Sequence, residues 1–153
     1  MSNSYTNYIT PDMEYHGKHI IQWLIEELSN PGRFTFGSKT IDEYMHKSIL
    51  NNLESVTYIT KHNECYTSER LILRDNNAVF VEGLSALLDK DFDSLTMRFY
   101  SRSVMNSFVS NMSYLFPNTA ISLHAYDYCI GSDYKFAFHN GHMTDYIYKN
   151  IYD

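Results

Sequence analysis

Apolar residues along the chain recur at two spacings, and the alternation between them outlines the fold. Met13, Gly17, Ile20, Ile21, Leu24 and Leu28 fall on one side of a helix. Thr10-Pro11-Asp12 reads as its entry: Thr caps, Pro suits the first helical position and Asp favours the positive end of the dipole. Asn30-Pro31-Gly32 stops it. Ile41, Tyr44, Met45, Ile49 and Leu53 form a second stripe, opened by Thr40 and Glu43 at capping-box spacing. A third stripe is Phe80, Leu84, Leu87 and Leu88 after Asp75-Asn76-Asn77, with Gly83 inside at a cost of about 1 kcal/mol relative to Ala. A fourth is Val104, Phe108, Val109, Met112 and Leu115, capped by Ser103 and ended by Pro117.

Strand signals lie between these stripes. Arg33–Phe36, Ser55–Thr60, Glu69–Arg74 and Leu95–Tyr100 are short and rich in β-branched or aromatic residues, with the polar run Lys61–Ser68 as a loop. Ile121, Leu123 and Ala125 alternate with Ser122, His124 and Tyr126. Gly131-Ser132-Asp133 turns the chain, and Tyr134, Phe136 and Phe138 alternate again. Asn140-Gly141 is a two-residue hairpin signal, because both tolerate positive φ. Met143–Tyr148 returns as a strand, with a last helical turn over Asp145–Tyr148 as the alternative. Residues 1–9, polar and rich in Tyr and Asn, read as a flexible N-terminal arm before a single α+β domain over residues 10–153. The element order predicts a largely antiparallel sheet with helices packed on one face.

Composition narrows the function. Twelve basic against eighteen acidic residues give a net charge of -6, which disfavours direct nucleic-acid binding by phosphate neutralisation. The start of the chain has no secretory signal pattern, and no apolar run approaches the ~18–20 residues that span a bilayer. Cys65 and Cys129 are far apart and form no CxxC pair, which disfavours a thiol-ligated zinc site; the expectation is reduced, partly buried thiols in a cytoplasmic protein, with a disulfide between the two as the alternative.

Candidate chemistry is sparse. His139-Asn140-Gly141-His142 sets two imidazoles across a tight turn, and His124 on a neighbouring strand would supply a third for a metal site or acid/base work. Hairpin tips accept any polar residue, so the expectation is no metal and no cofactor. His16 and His19 are three apart on the first helix and lack a third ligand. His46-Lys47-Ser48 resembles one half of a two-histidine phosphoesterase site, whose second half the chain lacks. Thr67–Arg74 resembles the opening strand of acyl-CoA-dependent N-acetyltransferases, but no Gly-rich pyrophosphate loop follows it. Nucleophile-elbow, Walker and Rossmann motifs are absent. The more unusual feature is a mixture of Tyr and Asp near the C-terminus: Tyr126, Tyr128, Asp133, Tyr146 and Tyr148 are the candidate binding residues. Tyr gives contact area at low entropic cost, and carboxylates beside it steer a basic surface.

One resemblance bears on origin. Leu95–Val104 is followed by a helix closing on Tyr114-Leu115-Phe116-Pro117. Ile-Ser-Leu-His-Ala-Tyr-Asp-Tyr from Ile121, a Gly turn and Tyr-Lys-Phe-Ala-Phe-His-Asn-Gly from Tyr134 complete the layout. This resembles the ferredoxin-like domain of small, mostly uncharacterised bacteriophage proteins. The resemblance implies a ferredoxin-like C-terminal half, a phage or mobile-element origin and no defined catalytic residues. The expected function is a small accessory protein that binds and inhibits a host protein, its partner offering a basic or nucleic-acid-binding surface. A homo-oligomer is also compatible with the sequence. The competing expectation is a small enzyme or binder for a nucleotide-type molecule, with His and Tyr lining a pocket and Arg98 or Arg102 holding phosphate.

Overall fold

The computed structural model describes residues 4–12, 17–29, 35–36, 39–40, 43–70, 77–90 and 92–152. Its elements are β1 (Tyr5–Pro11), α1 (Gly17–Ser29), β2 (Thr35–Phe36), β3 (Lys39–Thr40), α2 (Glu43–Asn52), β4 (Leu53–Thr60), β5 (Cys65–Glu69), α3 (Asn77–Leu87), β6 (Phe92–Ser101), α4 (Asn106–Leu115), β7 (Ile121–Asp127), β8 (Ser132–His139) and β9 (His142–Asn150). Strands β2 and β3 form a small separate hairpin. The other seven make one sheet in the order β5-β4-β6-β1-β7-β8-β9.

Every neighbouring pair in that sheet is antiparallel, so each helical connection passes over one strand. β1 to β4 passes β6, β5 to β6 passes β4, and β6 to β7 passes β1. The first connection leaves a strand of one direction towards the β5 edge. The other two leave strands of the opposite direction towards the β9 edge. Reversing both directions preserves handedness, so all three take the same hand only with their helices on one face. Burial agrees. Ile9, Val56, Tyr58, Leu95, Met97, Phe99, Leu123, Ala125, Phe136 and Phe138 point to that face and share one core with Ile20, Leu24, Leu28, Ile49, Phe80, Leu84, Phe108 and Met112. The α+β class and the antiparallel sheet are as the alternation predicts. The C-terminal half contains a split β6-α4-β7 unit around β1, and β8 then passes directly to β9 with no second helix.

The largest difference from the sequence reading is at the start. The supposed arm supplies β1, a central strand paired on both sides, and Thr10 and Pro11 belong to it rather than to a helix entry. β1 is polar because its inward Asn7, fully buried, acts as a clamp. Its Oδ1 accepts the Met105 N–H at 3.1 Å and its Nδ2 donates to the Tyr5 carbonyl at 3.3 Å. This replaces the expected Ser103 cap: α4 begins at Asn106 with no local side-chain cap. Thr40 lies in β3, and α2 starts at Glu43. Cys65–Ser68, expected in a loop, is the edge strand β5, whose residues are polar because they alternate between exposed and half-buried. Gly83 lets α3 approach β5, since a Cβ there would meet Ser68 Oγ at 3.1 Å.

Arg70 is buried and donates to the carbonyls of Ile49 and Leu53 at 3.1 and 3.2 Å, satisfying acceptors at the end of α2. Asn140 and Gly141 adopt positive φ, as their turn requires. Ser132 and Asp133 already belong to β8, the turn before it being Tyr128–Gly131. Cys65 and Cys129 are unpaired and both exposed, not partly buried. Met13, His16, the Asn30–Gly32 stop, Arg33, Phe34, Ile41, Leu71–Arg74 and the Asp75–Asn76 cap lie outside the described residues.

Candidate functional site

Among the described residues, no element covers the face of the sheet opposite the helices, and the strand registers set its side chains in rows. One row runs Tyr100, Thr6, Tyr126, Asp133, Lys149. The next runs Arg98, Tyr8, His124, Lys135, Ile147. The third runs Thr96, Thr10, Ser122, Ala137, Asp145. The third row is made of small side chains between the taller Tyr8, His124 and Lys135 and the edge. A hollow of about 400 Å³ lies over it, floored by Thr10, Ser122 and Ala137 and open to solvent.

Beside the hollow is an aromatic stack. Tyr8 and Tyr126 lie 6.1 Å apart at 27°, Tyr126 and Tyr128 lie 4.3 Å apart at 21°, and His124 is 5.4 Å from Tyr126. Burial raises the Tyr126 phenol above its ordinary value, and the Tyr8 phenol beside it adds to the rise. His124 Nε2 contacts both carboxylate oxygens of Asp133, at 3.2 and 3.1 Å. Tyr128 at the end of the row is 52% exposed. The Arg98 guanidinium reaches Glu54 at 3.5 Å and flanks Tyr8 on the other side.

The five residues singled out from the sequence fall into two groups. Tyr126, Tyr128 and Asp133 come together on the open face. Tyr146 and Tyr148 lie on the helix-bearing face, where Tyr134 sits 4.8 Å from Tyr148 and Phe136 sits 5.1 Å from Tyr146. The cause is one residue. A regular ladder from the Asn140-Gly141 turn would set Tyr146 opposite Lys135 and Tyr148 opposite Asp133, on the open face. A bulge between Ala137 and Phe138 leaves Thr144 unpaired and shifts Tyr146 to Phe136 and Tyr148 to Tyr134. Tyr8, the remaining member of the stack, lies in the segment read as an arm; its one sequence signal is alternation with Asn7 and Ile9.

The histidines are dispersed. His139 and His142 face each other at the hairpin end, whereas His124 stands opposite Lys135, about 13 Å along β8 from His139. No group of three metal-ligating side chains occurs among the described residues. His46 of α2 is buried, with Nδ1 2.6 Å from Glu27 Oε2 on α1. Arg98 is on the open face but not among the residues around the hollow, and Arg102 is exposed after β6. No helix among the described residues is long and apolar enough to cross a membrane. Comparison with protein-family models, curated proteins and solved structures gives no match for this chain.

Proposed function

We propose that this protein is a non-catalytic binding protein that docks on a partner protein through the open face of its sheet. Tyr126, Tyr128 and Asp133 make the contact, with Tyr8 beside them. The observation that carries this reading is the Tyr8–Tyr126–Tyr128 stack on a face that no described helix covers. Rings already held against one another lose little freedom on binding, and their exposed edges offer apolar area with a hydroxyl at the tip. Asp133 and the net charge of -6 favour a basic partner surface of the kind that holds nucleic acid. With the phage resemblance of the Leu95–Met143 stretch, the reading extends to a phage or mobile-element accessory factor that occupies and inhibits a host protein in the cytoplasm.

The His124–Asp133 contact beside the hollow favours a second reading, a small binder or enzyme for a nucleotide-type molecule. That reading needs an enclosed pocket gathering His124, His139 and an arginine. The hollow is open, and its lining includes neither His139 nor an arginine. The docking reading therefore stands first. Its test is affinity capture from a bacterial lysate with the wild-type chain and with Tyr128→Ala, analysed by mass spectrometry. One stoichiometric protein retained by the wild type and lost by the variant supports it. Retention of the same protein by both contradicts the site.

A further inference from the structure

β9 is the long edge of the sheet, and no strand among the described residues pairs with its outer side. Every residue from His142 to Lys149 is exposed, including Met143, Tyr146, Ile147 at 55% and Tyr148. The opposite edge, β5, has 5 residues and is mostly polar. Short polar edges resist pairing, whereas a 9-residue edge with exposed aromatic and β-branched residues is a template for another strand. The hairpin is anchored. Ser110 Oγ on α4 donates to the Gly141 carbonyl at 2.9 Å, and the Gly141 N–H donates to Ser113 Oγ at 2.9 Å.

The direction of its free backbone groups follows from its end. Ile151 N–H donates to the Gly131 carbonyl at 2.8 Å, and Ser132 stands opposite Asn150. Hydrogen-bonded pairs alternate along an antiparallel ladder, so Lys149, Ile147 and Asp145 turn their backbone groups towards β8. The N–H and C=O groups of Tyr146 and Tyr148 then point out of the sheet. In keeping with this, the Tyr146 N–H is taken by Asp145 Oδ1 at 2.9 Å.

A twofold axis through such an edge can fall on any residue from Asp145 to Lys149, and side chains set opposite one another share a face. On Asp145 it would oppose two aspartates, and on Lys149 two lysines. On Tyr146 or Tyr148 it would set one charged residue against Ile147. On Ile147 it sets Asp145 against Lys149 twice, flanking an Ile147 pair. It also sets Tyr146 against Tyr148 twice, with their outward backbone groups in register to exchange both hydrogen bonds. We infer that the occupant of this edge is a second copy of the chain, joined antiparallel through β9 about Ile147. Pairing passes the Tyr146 N–H to the Tyr148 carbonyl of the second copy and frees the Asp145 carboxylate for its Lys149. The backbone ladder and aromatic pairs supply the affinity; the charges select the register.

The test is mass by light scattering across about 1–100 μM, on the wild type, Asp145→Lys, Lys149→Asp and the double swap, with folding checked by circular dichroism. The wild type is expected at about 36 kDa, twice its 18.0 kDa. Each single variant is expected at the monomer mass, because like charges then face each other at both ends of the pair. The double swap restores opposite charges and is expected to return to the dimer. A monomeric wild type overturns the inference and leaves the edge to a strand of another protein. Dimers in all four place the interface elsewhere and overturn it as well.

Discussion

Replacing Asn7 by Ala distinguishes a central strand from a loose arm. Asn7 is fully buried, and its Oδ1 is the acceptor for the Met105 N–H at the start of α4. Alanine removes that acceptor and leaves a buried N–H without a partner, at about 1–3 kcal/mol. Loss of a helix N-terminal acceptor measured at local caps, about 0.5–2 kcal/mol, overlaps this range. Taking about 2 kcal/mol, and about 2–4 °C per kcal/mol for a chain of this size, the melting temperature should fall by about 4–8 °C. With a urea slope of about 2 kcal/mol/M, the midpoint should fall by about 1 M. Thr6→Ala, one position away on the open face, gives up a hydrogen bond to Tyr126 and a β-branched strand residue, and should cost no more than about 1 kcal/mol. Thermal and urea denaturation followed by circular dichroism read both. An Asn7→Ala midpoint equal to that of Thr6→Ala would mean that β1 does not clamp α4, and the topology built on it would fall.

The core makes a larger prediction. Phe108 is fully buried, 5.2 Å from Phe99 and 6.2 Å from Trp23, so Phe108→Ala should cost about 3–5 kcal/mol in urea unfolding, and an unchanged midpoint would contradict its place in the core. The buried Glu27 predicts a pH dependence: burial raises its carboxyl above the ordinary 4.5, and the contact with His46 offsets this only in part, with Glu26 adding to the rise. A folded-state value above the unfolded one gives a contribution to stability that is full below about 4.5 and is lost as pH rises through the raised value. Glu27→Gln keeps the shape without titrating, so the wild-type urea midpoint should decline relative to it across that window; parallel profiles would contradict the assignment.

The elements legible in the sequence are those whose signal is local. The stripes of α1, α3 and α4, the alternation of β7 and β8 and the Asn140-Gly141 turn each follow from side chains close in sequence. What was not legible depends on distant partners. β1 carries a polar residue at an inward position because Asn7 serves a helix start 98 residues away. Without that partner, Tyr-Thr-Asn-Tyr looks unstructured. β5 looks like loop because an edge strand needs little apolar surface. The binding residues were legible in kind but not in arrangement. One unpaired residue, Thr144, turns Tyr146 and Tyr148 away from Tyr126, and nothing in the composition of β9 marks the bulge.

The central claim is that the open face, and not the helix side, meets the partner. The most direct measurement is a titration of the captured partner with Tyr128→Ala and Tyr44→Ala, both checked for folding. The two tyrosines are similarly exposed, at 52% and 51%, and lie on opposite sides of the sheet. A contact anchor is worth about 2 kcal/mol or more, so Tyr128→Ala should weaken binding by about 30-fold or more, while Tyr44→Ala binds like the parent. Unchanged affinity in Tyr128→Ala, or an equal loss in Tyr44→Ala, would contradict the account.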